Sequence, residues 1–454
     1  MTALPERKIA IVRTLVQSAP DKVVGSLRQA LSDASANSAL YDVKQVVETE
    51  VAERTLRNTV LQPIAPMCVG AGDHPHRLTF PSRVLGLVWR GLRAVASETI
   101  DLARDAVEDL EPAHVIQEAY DKLTAAAAAG VRNREIESFR LAAEVCDAAQ
   151  DNGGEILAVC LDLAPVVRKA TQRMPDWLAH PGSETTAAVR LSYRDAVEIH
   201  AESGAQFFEM LAAQLAYPWM IMRVISAVMD KPTERYLAES ELAGFGEHLL
   251  EDVDEAIHRI AKLPVDDGPA AGREAAKLAD LVVQQIMEIE NSVDLDREHG
   301  WGQRVAKQRA SLATVIEGQF REGERAAMEA LPMHAPRNQR VRRQVPRLSS
   351  PPDDQLVGRA MTLLAFADES RSTANYGGFS TARNKLVDKL GEYVDHYVEE
   401  VLDLVRTGEV QDRDIAEAFL DRAAAFDALV RGAKAAELIR RRAHAALHPE
   451  AAQP

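Results

Sequence analysis

His248, Glu251, Glu255 and His258 follow one another at intervals of three, four and three residues, and Glu255-Ala-Ile-His258 is an ExxH tetrapeptide. Carboxylate-bridged di-metal proteins use that spacing because one helical turn then aims a carboxylate and an imidazole at the same ion. The side of the helix decides whether this chemistry is open. At about 100° per residue the four side chains share an arc of roughly 80°, whereas Leu249, Val253, Ile257 and Ile260 centre about 180° away. A bundle-core metal site needs inward ligands, so the pattern predicts that Glu251, Glu255 and His258 face solvent. A second ExxH, Glu111-Pro-Ala-His114, carries Pro112 and therefore reads as a helix start, a poor place for a mid-bundle ligand.

Two further constellations have metal-binding types. Asp101, Asp105 and Asp109 recur every four residues, a spacing that can hold magnesium and a diphosphate. Val84, Val88, Leu92, Val95, Leu102, Ala106 and Leu110 form an apolar stripe on the other side, and no second aspartate motif matches it. The loop Cys68-Val-Gly-Ala-Gly-Asp73-His74-Pro-His76 brings thiol, carboxylate and two imidazoles together. Cys68, Asp73, His74 and His76 are all competent zinc ligands, but no Cys or His pair elsewhere obviously completes a tetrahedral set. An interdomain loop is the simpler reading. Gly70-Ala-Gly72 lacks both a preceding strand and a third glycine, so it is no dinucleotide fingerprint. Walker A, nucleophile-elbow, kinase and HExxH motifs are absent from the sequence. No catalytic residue and no cofactor is assigned, and nothing in the sequence requires an enzyme.

The elements that must position these residues are helices. Apolar residues recur at spacings of three and four, with no convincing run of period two. The expected fold is all-α, a multi-helix bundle or irregular array with long helices and no sheet. Aromatic residues make up only 5% of the chain, which suits helix packing better than sheet. Ser82 reads as the start of one helix reaching Leu110, and long helices are expected over 185–215, 232–263 and from Asp412 to about Leu447. Residues 62–81 collect four prolines and two glycines, and residues 331–352 hold five prolines, five arginines and no acidic residue. These stretches divide the chain into a helical unit at 1–62, a loop at 63–81, a central domain at 82–330, an Arg/Pro-rich linker at 331–352 and a helical region at 353–454. No solenoid period is evident.

Charge and hydropathy narrow the function classes. A formal net charge of −16 argues against a general nucleic-acid binder. Arg337, Arg340, Arg342, Arg343 and Arg347 break that background and could hold an acidic partner or an anion. A second basic group is Arg431, Lys434, Arg440, Arg441 and Arg442, where positive charge also favours a helix C-terminus. Three widely spaced cysteines without CxxC fit a reducing compartment. Charged residues interrupt the N-terminal apolar stretch, so no signal peptide is expected. The most apolar segment offers 13 uncharged residues between Glu209 and Arg223, short of the roughly 18 a spanning helix needs. The expectation is a cytoplasmic protein–protein interaction or scaffold protein, its partner another protein or a second copy of itself. The alternatives are a metal-dependent all-α enzyme and a binder of nucleic acid or an acidic surface through the 331–352 arginines.

Overall fold

The structure, a computed structural model, describes residues 5–34, 39–70, 78–180, 182–229, 232–334 and 344–448. It is 77% helical, with nineteen α-helices among the described residues, so the fold is all-α. None of these helices is long and apolar enough to cross a membrane. The chain divides into two compact units, residues 1–231 and 232–454.

In the first unit, α1 (Glu6–Ser18) and α2 (Asp21–Ala30) pack on α3 (Ala39–Val60). Val16, Val24 and Val47 form the buried centre of that contact. Arg54, on α3, holds the two shorter helices in place. Its Nη2 donates to the carbonyls of Val16 (2.9 Å) and Ala19 (2.9 Å), where α1 ends, and its Nη1 donates to Asp21 (2.5 Å), where α2 begins. The last carbonyls of a helix have no partner within it, and an arginine fork can satisfy two at once.

After β1 (Cys68–Val69) and β2 (Phe80–Pro81) come α4 (Val84–Val95), α5 (Ser97–Glu108), α6 (Ala113–Asn133), α7 (Glu137–Asp147) and α8 (Gly153–Ala179). The single helix expected from Ser82 to Leu110 is broken at Ala96, whose ψ of 34° takes the chain out of helix. The break rotates α5 about its axis. Ile100 and Ala103 become the buried residues, and Leu102 and Leu110 turn to solvent although the sequence stripe placed them inward; Val95, the last residue of α4, is exposed as well. Phe139 of α7 is wedged between Gly91 of α4 and Gly130 of α6. A Cβ built at those glycines would lie 2.4 and 2.3 Å from its ring atoms. Arg168 of α8 repeats the device of Arg54, its Nη2 donating to the Val60 carbonyl at the end of α3 (2.9 Å) while its fork meets Asp121. The unit closes with α9 (Ser183–Ile199), α10 (Gly204–Ala212) and α11 (Ile221–Val228), with a break at 200–203 inside the helix expected over 185–215.

The second unit opens with the short α12 (Glu234–Ala238), then α13 (Ala243–Ala261), α14 (Pro269–Ser292) and α15 (Gly300–Ala330). Glu234 is buried, and its carboxylate accepts from the backbone N–H groups of Asp296 (3.0 Å), Trp301 (2.5 Å) and Gly302 (3.1 Å). It therefore caps α15 from outside, supplying negative charge at the positive end of that helix. Gly300 has φ +52°, and a Cβ there would fall 1.9 Å from the Glu234 carboxylate. Beyond α15 follow β3 (Met333–His334), β4 (Val345–Pro346), α16 (Asp354–Glu369), α17 (Ser380–Thr407), α18 (Arg413–Val430) and α19 (Ala433–Leu447). α16 packs against both α14 and α15, so helices on either side of the 331–352 stretch share one core.

The strands are an addition to the helical expectation. Cys68–Val69 pairs in parallel with Phe80–Pro81, and Met333–His334 pairs antiparallel with Val345–Pro346. Pairs two residues long leave no period-two signal in a sequence.

Two substitutions test these contacts. Gly130→Ala must displace Phe139 and is expected to cost about 1–3 kcal/mol as overpacking. Glu234→Ala leaves three N–H groups without their acceptor and is expected to cost roughly the same. Both read out as a lowered Tm in thermal circular dichroism, and an unchanged Tm in either would remove the role assigned to that residue.

Candidate functional site

α13 carries its two faces as its wheel predicts. Leu249, Val253, Ile257 and Ile260 are buried, while Glu251, Glu255 and His258 are exposed. Glu247 and Asp254 of α13 reach another helix. The Trp301 indole donates to Glu247, and Arg304 donates to Glu247 (3.1 Å) and Asp254 (2.7 Å). Those pairs fasten α13 to α15. Asp101, Asp105, Asp109, Glu111 and His114 are also exposed. Among the described residues, no three His, Cys, Asp or Glu side chains gather closely enough to hold a metal ion.

The loop constellation is visible only in part. Asp73, His74 and His76 lie outside the described residues, as do Arg337, Arg340, Arg342 and Arg343. Arg347 is exposed, and its backbone N–H donates to the Pro332 carbonyl (2.9 Å) beside the β3–β4 pair.

Cys68 has company the sequence does not show. Cys146 on α7 and Cys160 on α8 come near enough for both to act on the Cys68 thiol, and Cys146 acts on Cys160 as well. Burial is the main cause that pushes all three thiols up, Cys146 to about 12. Neighbouring thiols add to the effect at Cys68, and Glu209 adds to it at Cys160. A thiol held protonated is a weak nucleophile and a poor metal ligand, so the cluster packs as small apolar side chains do.

A second grouping missed by sequence spacing is His200, Asp162 and Arg132. His200 Nε2 lies 3.0 Å from Asp162 Oδ2, and Arg132 donates to the same oxygen (2.7 Å) and to Glu155 (3.0 Å). A carboxylate-oriented imidazole is half of a nucleophilic site. The nearby Ser203 hydroxyl has the carbonyls of Ala196 (2.9 Å) and His200 (2.8 Å) within reach of its one proton, so it fastens the α9–α10 corner. The grouping ties α6, α8 and α9 together.

Met328, Glu329, Pro332, Met333, Gln344, Leu356 and Tyr393 line an open pocket of about 530 Å³ in the second unit. The Tyr393 hydroxyl is spent on the Leu331 carbonyl (2.6 Å), and burial raises its pKa to about 12. Among the described residues, Glu329 is the one carboxylate on this lining.

The strongest unspent feature is apolar surface on the first unit. Ile11 and Leu15 are 56% and 62% exposed on α1, with Val23 and Leu27 exposed on α2. On α5, Leu102 is 65% exposed, and just beyond it Leu110 is 88% exposed. Leu110 has φ 54°, the left-handed position ending a helix that glycine fills at lower cost.

No family model, no characterised protein and no solved structure matches the chain.

The thiols make a pH-dependent prediction. Their folded pKa values lie above the ordinary 9.0, so their contribution to stability is intact below pH 9 and is lost as pH rises above it. Each buried thiol then subtracts about 1.4 kcal/mol per pH unit until its folded pKa is reached. Urea midpoints are expected to fall from pH 9 upward, and less steeply in a Cys146→Ala, Cys160→Ala double variant. Equal slopes in the two proteins would show that the thiols are not held protonated.

Proposed function

We propose that this chain is a protein–protein interaction or scaffold protein whose contact surfaces are helix faces of the first unit. One observation carries the reading: α1 and α2 are apolar on two sides, and the described residues cover only one. Val16 and Val24 enter the core, while Ile11, Leu15, Val23 and Leu27, paired at helical spacing of four, stand in water. Isolated exposed apolar residues are ordinary, but repeated ones on one face mark surfaces that another molecule covers. An apolar residue at Leu110, in a conformation suited to glycine, supports the same reading on a second helix.

The test is a Leu15→Asp, Leu102→Asp double variant compared with the unaltered protein by sedimentation velocity and by affinity capture. Both side chains already lie in water, so stability should change by no more than about 0.5 kcal/mol. Association, with a second copy or with a captured partner, should be lost. The reading falls if the unaltered protein stays monomeric at high concentration and captures nothing that the variant loses.

A further inference from the structure

Resting on that interaction reading, we infer that the partner surface for α1 is α5 of a second copy, the two helices lying antiparallel. The apolar faces named above are bordered by charges of opposite sign. On α1, Arg7 and Lys8 sit one turn before Ile11 and Leu15 on the same face; on α5, Asp105 and Asp109 border Leu102 and Ala106. All four charged side chains are exposed. Asp101 pairs with Arg104, but Arg7, Lys8, Asp105 and Asp109 have no ion-pair partner among the described residues.

Each set of charges also stands at the wrong end of its own helix. Arg7 and Lys8 are in the first turn of α1, next to unsatisfied N–H groups that repel cations. Asp105 is in the last turn of α5 and Asp109 is its C-cap, beside carbonyls that repel anions. Glu6 offsets part of this on α1, and the last turn of α5 carries no basic residue. Laid antiparallel, the α1 start meets the α5 end. Arg7 and Lys8 then face Asp109 and Asp105, Ile11 and Leu15 face Ala106 and Leu102, and the two helix dipoles oppose.

Within the chain α1 packs on α3, and α5 packs on α4 and α6. A single helix-on-helix contact is small beside the roughly 800 Å² per partner of a standard interface. A two-fold pair makes the contact twice, α1 to α5 and α5 to α1, and closes without further growth.

Reversing charge tests the pairing, with sedimentation equilibrium as the readout and far-ultraviolet circular dichroism as the folding control. One variant is Arg7→Glu, Lys8→Glu; the other is Asp105→Arg, Asp109→Arg. Each alone should dimerise about tenfold or more weakly, because both contacts in its homodimer then join like charges. The second variant lowers the net negative charge, so a general easing of repulsion between copies would strengthen its dimer. Mixed one to one, the variants should associate again as a heterodimer, since both contacts then join opposite charges. Undiminished dimers in either variant, or no recovery on mixing, would overturn the inference. So would a monomeric unaltered protein; should that protein still capture a partner that the Leu15→Asp, Leu102→Asp variant loses, the pairing fails while the broader interaction reading stands.

Discussion

A guanidinium from one helix closing the carbonyl end of another is the contact that recurs through the first unit and appears again in the second. Arg54 closes α1, Arg168 closes α3, Arg223 closes α8 through the Leu178 carbonyl (2.8 Å), and Arg190 closes α11 through the carbonyls of Ala227 (3.0 Å) and Met229 (2.8 Å). In the second unit Arg383 reaches the Ala367 carbonyl near the end of α16 (3.0 Å). The mirror device is Glu234 at the start of α15. Short helices in an alanine-rich chain gain little from each face they bury, because a methyl group offers little area. Leaving their ends unsatisfied would cost on the order of 1–3 kcal/mol per buried group. Long side chains reaching from one helix to the end of the next remove that cost and fix where each helix stops.

Much of the fold class was legible in the sequence because it rests on periodicity, and periodicity survives without coordinates. The helix breaks were not. Ala96 and the 200–203 turn carry no proline or glycine, so nothing local announces them, and the Val84–Leu110 stripe runs through the first as though it were continuous. That one break changed which residues are inside: Ile100 and Ala103 replaced Leu102 and Leu110. The arginine caps were illegible for a different reason. An arginine in a helix reads as part of a solvated face, and only the fold shows that Arg54 and Arg168 are buried against another helix's end.

The candidate chemistry divides along the same line. On α13 the wheel alone placed Glu251, Glu255 and His258 on the solvent side, because four large apolar residues leave that helix one possible inward face. The meeting of Cys68, Cys146 and Cys160 depends on how β1, α7 and α8 come together, and no spacing in the chain encodes it. His200 and Asp162 are likewise brought together only by the turn between α9 and α10. The contact of His200 with Asp162 ties α9 to α8, and burial keeps the three thiols protonated.

What is left over is apolar, and it lies where the fold is thinnest. α1 and α2 each rest on α3, around a centre of three valines. A centre of that size contributes only a few kcal/mol from burial, at about 1.5–3 kcal/mol per fully buried side chain, set against the entropy of ordering two helices. Arg54 adds to it by tying both of them to one guanidinium. Helices held so lightly are expected to bury every apolar residue they have, yet Ile11, Leu15, Val23 and Leu27 face water on the same two helices. A sequence that only needed these helices to stay docked on α3 would gain solubility by making those four positions polar, at no loss to the core. In the interaction proposed above, a partner that covers these positions would also add to the stabilisation of α1 and α2.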